Sequence, residues 1–237
     1  MIRRLLFLST ALTLAGTLPA IADTYSVSRD MHSANEVSFT SRAPLVKFTG
    51  RTDKVIGAIT GNPNDLSHAK GEFKVDLTSL DTGIGLRNEH MKNFLEASKY
   101  PFAVLKIKSV KGPRRLKPNQ PANVTILGDM SLHGQTRTVS FPAEVTYLPE
   151  QNAQFRAGNW IQVSSEFKLK MTDYGVQLPS MILGPKVSDQ VTIAIDTSVR
   201  QKGSGRAAQR NPCNPCAPAA KKPVNPCSPA NPCAMKK

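Results

Sequence analysis

Two stretches of this 237-residue chain carry side chains that could do chemistry. The first is SLDTGIGLRNEHMKNFLEASKYP, Ser79 to Pro101, where Arg87, Glu89 and His90 crowd together. A carboxylate beside an imidazole suggests an acid–base pair or the start of a metal site. Neighbouring helical residues, however, point about 100° apart and do not converge on one atom. Zinc needs three or four ligands, and the other histidines, His32, His68 and His133, stand on separate segments. Met91, Phe94 and Leu95 have the i, i+3, i+4 spacing of an amphipathic helix, with Arg87, Lys92 and Glu96 assigned to solvent. Such a helix begins at the turn Asp81-Thr82-Gly83-Ile84-Gly85 and stops before Tyr100-Pro101. The stretch reads as a structural crossing.

The second stretch follows Gln201 and holds every cysteine, Cys213, Cys216, Cys227 and Cys233, each in an Asn-Pro-Cys repeat. Rich in Pro, Ala and Lys and free of acids and aromatics, residues 201–237 lack the apolar surface to offset ordering entropy and read as a disordered tail. Cys213-x-x-Cys216 has chelating spacing, and Cys227 with Cys233 would complete a thiolate set for zinc or copper(I). Disulfides and free thiols remain the alternatives, as for any even cysteine set outside the cytoplasm. A c-type haem site is excluded in its common form, because Ala217 follows Cys216 where His is required.

The opposite end reads as an export signal, residues 1–22. Arg3 and Arg4 precede an apolar run, and Ala20-Ile21-Ala22 supplies the small residues of a cleavage site. The run falls short of the about 20 apolar residues of a membrane span. The expected location is therefore the bacterial periplasm or the medium. Of the formal net charge of +14, the leader carries +2 and residues 200–237 carry +8, which leaves +4 on residues 23–199. The basicity belongs mainly to the tail, as a solubilising extension or one drawn to anionic head groups, and nucleic acid is not an expected partner.

Residues 23–200 form one domain in which period-two alternation recurs. Phe73, Val75 and Leu77 share a face, as do Ile161, Val163, Phe167, Leu169 and Met171. Val139, Phe141, Ala143, Val145 and Tyr147 repeat the pattern, and so do Val191, Ile193, Ile195 and Val199. Further strands are expected over 36–41, 45–49, 55–60, 103–110 and 123–132, with a tight hairpin at His133-Gly134. The fold class is all-β: about eight antiparallel strands, enough to close a barrel, with one short crossing helix. A closed barrel of this size either fills with side chains or holds one slender ligand. The mostly aliphatic inner faces favour the second, and a filled sandwich core is the alternative. In a hollow barrel, Val37, Phe39, Phe73, Val75, Leu77, Met91, Phe94, Leu95, Ile161, Val163, Phe167, Val191 and Ile193 would line the tunnel. No G-x-S-x-G elbow, H-E-x-x-H, phosphate loop or dinucleotide fingerprint is present, so the chain reads as a non-enzyme with no required cofactor.

The blocks DTGIGLRNEHM, KYPFAVLKIKS, LGDMSLHGQTRTVSFPAEV and SDQVTIAIDTSV, with the earlier MHSANEVSF, resemble the YceI-like, polyisoprenoid-binding family of bacterial proteins over residues 24–200. The resemblance implies a lipocalin-like, extended antiparallel barrel with an apolar tunnel for a long isoprenoid chain, such as a polyprenyl lipid or quinone tail. It further implies export, and for some members service to membrane redox partners. It carries no catalytic residues and makes Asp81, Arg87, Glu89, His90 and Tyr100 motif positions of structural role. The expected function is storage or transport of an isoprenoid lipid. The alternative is metal handling through the cysteine tail. Contact with a membrane surface and homodimerisation stay open.

Deleting residues 201–237 should leave barrel stability and lipid content unchanged while removing any bound zinc or copper. A thiol count with and without reductant, beside metal analysis of protein kept from air, checks this. Four reactive thiols and no metal would defeat both the chelator and the disulfide readings.

Overall fold

The computed structural model describes residues 22–29, 35–43, 46–150, 157–177 and 188–203. Residues 1–21, within the expected export signal 1–22, and residues 204–237, within the expected tail 201–237, lie outside these. Ten strands form the described part: β1 (Asp23–Val27), β2 (Glu36–Ala43), β3 (Val46–Thr52), β4 (Val55–Asn62), β5 (Asp65–Asp76), β6 (Phe102–Lys111), β7 (Pro121–Leu132), β8 (Gln135–Leu148), β9 (Trp160–Lys170) and β10 (Gln190–Gln201). A single α-helix, α1 (Gly85–Phe94), and 3₁₀ turns at Leu77–Ser79 and Met171–Tyr174 complete it.

All pairings between these strands are antiparallel. The order β1-β4-β5-β6-β7-β8-β9-β10 closes on itself because β10 also pairs with β1, giving an eight-stranded barrel. Closure removes most exposed strand edges. On the same edge of β10, Val191–Asp196 pair with β2 and Val199–Gln201 pair with β1. The β2–β3 hairpin therefore extends the wall above β1 and β4.

The alternation expected of half-buried strands holds along the wall. On β7, Val124, Ile126, Met130 and Leu132 are buried; on β8, Phe141, Ala143 and Val145 are. The β7–β8 hairpin is the two-residue turn His133-Gly134, with φ of 51° and 74°. Positive φ at both positions matches strand twist in a type I′ turn. Gly134 is doubly required, since a Cβ there would lie 2.7 Å from the Tyr100 ring.

One end of the barrel is closed. The connection from β6 to β7 folds over it, tied by Leu116 N–H to the Pro63 carbonyl at 2.7 Å and Leu66 N–H to the Arg114 carbonyl at 2.9 Å. Leu116 and Tyr25, both 1% exposed, fill that end.

At the other end β5 stops at Asp76 while β3 runs on, and the missing wall segment is covered by α1 and the turn before it. Arg51 and Asp81 exchange both backbone bonds, at 2.9 and 3.0 Å, which fastens this cover to β3. The helix begins at Gly85 and ends at Phe94, with Glu96 in the left-handed region (φ 45°). Leu95 and Ala97 are buried just beyond it.

Phe167 sits on the apolar face of β9, and its ring stacks on Phe141 with centroids 4.2 Å apart and planes 16° apart. Truncating this stacked pair should open a void in packed core. We expect Phe167→Ala to cost about 3–5 kcal/mol in equilibrium urea unfolding. Phe94→Ala, on the half-buried cover helix, should cost less. Equal losses would contradict this division.

Candidate functional site: an apolar cavity

A cavity of about 700 Å³ occupies the barrel interior. That size falls within the ~300–1,000 Å³ typical of small-molecule sites. Its wall is mostly Val, Ile, Leu, Phe and Met from nearly every strand, with α1 contributing at one end. The interior is hollow, not packed through.

Twelve of the thirteen expected tunnel residues border it: Val37, Phe39, Phe73, Val75, Leu77, Met91, Phe94, Leu95, Ile161, Val163, Val191 and Ile193. Phe167 does not, and its placement is a correction. Its strand parity is right, but the ring is spent on stacking against Phe141, which itself borders the cavity. Alternation reports which face a residue takes, and cannot report which ring covers another.

Several hydroxyls of the wall are bonded within the protein. Ser165 Oγ donates to the Pro142 carbonyl at 2.6 Å, and Thr197 Oγ1 donates to Asn35 Oδ1 at 2.9 Å. Ser41 Oγ accepts from the Ser188 N–H at 3.4 Å. A hydroxyl with an internal partner does not call for a polar ligand group. The deep cavity thus suits hydrocarbon.

Charge appears only at the mouth. Arg87 and His90, both on α1, are the only ionisable side chains along the described lining. The Arg87 guanidinium stands 4.9 Å from the centroid of Phe48 on β3, a cation–π contact. This corrects the assignment of Arg87 to open solvent: spacing within the helix could not reveal that β3 runs past it. Glu89 is exposed and does not border the cavity. His90 borders it at the exposed rim. The two residues that suggested acid–base chemistry therefore do not converge. Among the described residues no group of three or more His, Cys, Asp and Glu is placed to hold a metal ion. All four tail cysteines lie outside the described residues, as does His32.

The opening is marked by Ile84 and Leu86, which line the cavity yet are 50% and 64% exposed. Neither was singled out from sequence, because Ile84 caps the helix and Leu86 sits in its first turn, ahead of the apolar stripe.

A small polar lock holds this rim. Asp81 Oδ1 accepts from the Gly83 N–H at 2.9 Å and from Asn88 Nδ2 at 2.7 Å. Asn88 Oδ1 in turn accepts from Thr82 N–H and Oγ1–H at 2.8 and 2.7 Å. The turn is thus tied to the first turn of α1, which has no side-chain cap of its own. The Asn88 amide and then the Gly83 N–H hold the Asp81 carboxyl below its usual range, with Lys92 and Arg51 adding attraction.

The closed antiparallel barrel and its apolar interior define the class, a calyx able to enclose one elongated apolar ligand. The YceI-like domain family matches residues 28–199, and the chain belongs to it. A UPF0312 protein of Vibrio cholerae is 29% identical over 134 residues, covering 54% of this chain and 65% of that relative's length. Among solved structures, a polyisoprenoid binding domain from Saccharophagus degradans aligns with TM-score 0.57 and 20% identity, over 75% of this chain and 98% of that one. BcnA of Burkholderia cenocepacia aligns with TM-score 0.56 and 19% identity, over 69% and 95%. At these identities the structural likeness establishes the shared fold.

Asn88→Ala should remove the lock and loosen α1 without unfolding the barrel. We expect a loss of about 1 kcal/mol, seen as faster amide exchange across residues 85–94 than elsewhere. The acid response has a definite sign. A carboxyl whose folded pKa is lowered adds stability that is complete above its unfolded value of about 3.9 and is lost as pH falls through the lower folded value. Protection of α1 should therefore hold from neutral pH to about 4 and fall below it. Asp81→Asn should abolish that acid step.

Proposed function

We propose that the protein binds the hydrocarbon chain of an isoprenoid lipid, a polyprenyl species or a quinone tail, and stores or transports it outside the cytoplasm without chemical change. The observation that carries this reading is the overwhelmingly apolar interior, in which the Ser165 and Thr197 hydroxyls are bonded within the protein. Such a wall offers no directional contact to a polar ligand. It rewards only removal of hydrocarbon from water, at roughly 25 cal/mol per Å² before ordering costs. The Saccharophagus neighbour, described as a polyisoprenoid binding domain, supports the same ligand class.

Volume sets the capacity. A cavity of about 700 Å³ has room for a chain of several isoprene units. A longer chain must fold back or leave through the mouth at Ile84 and Leu86. The rim residues Arg87 and His90 then stand where the polar end of such a lipid would emerge. Among the described residues Glu89 and His90 do not converge, which favours binding without catalysis, and the signal-like residues 1–22 favour a periplasmic setting. Zinc or copper handling by Cys213, Cys216, Cys227 and Cys233 remains a separate proposal about the tail.

Organic extraction of protein purified from its own host should release a polyprenyl or quinone species at up to one per chain. Ala103→Phe, which adds a ring to the cavity wall on β6, should lower that content strongly while the far-ultraviolet circular dichroism stays that of the wild type. Wild-type protein that yields no lipid, and takes up no added polyprenol, would sink the reading.

A further inference from the structure

The rim of the mouth differs from the rest of the barrel in two ways. Among the described residues Ile84 and Leu86 are the two most exposed large hydrophobics, and both border the cavity. Beside them stands the tip of the β2–β3 hairpin, whose Val46 and Phe48 also line the opening. Arg87 of α1 over Phe48 shows that helix and hairpin tip meet there.

On the outer face of that tip Arg42 and Lys47 are direct cross-strand partners. Both are exposed, and no carboxylate of the described residues lies within ion-pair distance of either. Like charges directly opposite one another destabilise a strand pair. Elsewhere on the barrel surface cations are laid against acids, as in Lys74–Glu72, Lys106–Glu72 and Lys108–Asp129. The hairpin tip departs from that pattern. Arg87 and Lys92 add two further cations on α1, against the exposed Glu89 and the Asp81 of the lock.

We propose that this rim is a docking surface for the anionic face of a phospholipid bilayer. Ile84 and Leu86 enter the boundary between head groups and acyl chains, and Arg42, Lys47, Arg87 and Lys92 meet the phosphates. Apolar residues ringed by cations are the pattern of interfacial membrane binding, and anionic lipid adds attraction for each basic residue near the surface. Docked so, the cavity opens toward the acyl layer, and a hydrocarbon chain can pass between membrane and barrel without crossing water. The usefulness of the surface rests on the lipid-carrier reading; its existence does not.

Trp160, the single native tryptophan, pairs with Arg200 and Leu148 at the opposite end of the barrel and supplies a built-in reference. The full chain carrying Leu86→Trp is mixed with vesicles of phosphatidylcholine and brominated phosphatidylglycerol, and its fluorescence is compared with that of wild type. Quenching well beyond the wild-type level supports the proposal. Adding Arg42→Glu and Lys47→Glu should raise the vesicle concentration for half-maximal quenching roughly tenfold or more. These two positions lie off the cavity wall, so extracted lipid content of the Arg42→Glu, Lys47→Glu protein should match wild type. Three results would overturn the proposal. One is sedimentation with vesicles without added quenching at position 86. Another is quenching that ignores the charge reversal. The third is a dimer in analytical ultracentrifugation that the charge reversal dissociates while vesicle quenching stays at the wild-type level, which would make the rim a face between copies. Lipid content, measured by extraction of the same preparations, separates failure of docking from failure of the carrier reading.

Discussion

The arrangement depends on how the last strand shares one edge. β10 gives Val191–Asp196 to β2 and Val199–Gln201 to β1. The second pairing closes the eight-stranded ring, and the first lifts a two-stranded extension above it. Because β3 then outruns β5, a section of wall has no strand, and its free edge must be covered. The covering element is the turn and helix from Asp81 to Phe94. A helix can seal such a gap only loosely, since its backbone bonds are internal and it joins its neighbours by side chains alone. The one double backbone link, Arg51 with Asp81, anchors one end of it. The mouth lies where the cover is least bonded, between Leu86 and the hairpin tip.

The hollow interior follows from a second balance. The wall side chains are mainly aliphatic, and two inward aromatic rings are consumed on each other, Phe141 on Phe167. Too little volume remains to fill a closed ring of eight strands. An apolar void costs lost contacts, on the order of 24 cal/mol per Å³ in measured cavity series. The barrel withstands this because the void is part of the closed architecture, and a bound hydrocarbon would restore the missing contacts. Binding and stability are thereby coupled: whatever fills the cavity also holds the cover.

Much of the wall was legible in the sequence because alternation is a local property. The faces of β7, β8, β9 and β10, the I′ turn at His133-Gly134 and the helix with Met91, Phe94 and Leu95 inward all follow from spacing. β1 was not legible: its residues DTYSV carry little apolar signal, and its place depends on partners more than thirty residues away, Ile59 and Gln201. The first half of β5, with Asp65, Ser67, His68 and Lys70, was hidden for the same reason. Non-local contacts decided the site as well. Arg87 turns to Phe48 because β3 outlasts β5, and Ile84 and Leu86 become the rim because the chain opens there, not because of any periodic pattern. The family resemblance placed Asp81 in a structural role, and the geometry shows the role to be a hydrogen-bonded lock with Asn88.

Polar groups are graded along the described lining. Catalysis needs unsatisfied donors, acceptors or charges aimed at a common point, and such groups are costly to bury. Here the Ser165 and Thr197 hydroxyls spend their bonds on the protein, while charge along the described lining is confined to Arg87 and His90 at the rim, where water or a head group can solvate it. This gradient, from hydrocarbon at the floor to cations at the opening, is the gradient of a lipid molecule inserted tail first. It also orients the passage: a chain leaving the floor meets Ile84 and Leu86 before it meets solvent. A membrane presents the same sequence in reverse, phosphate outermost and hydrocarbon within. Two such gradients facing each other, as in the proposed docking, would let a chain move between them without exposing its apolar surface.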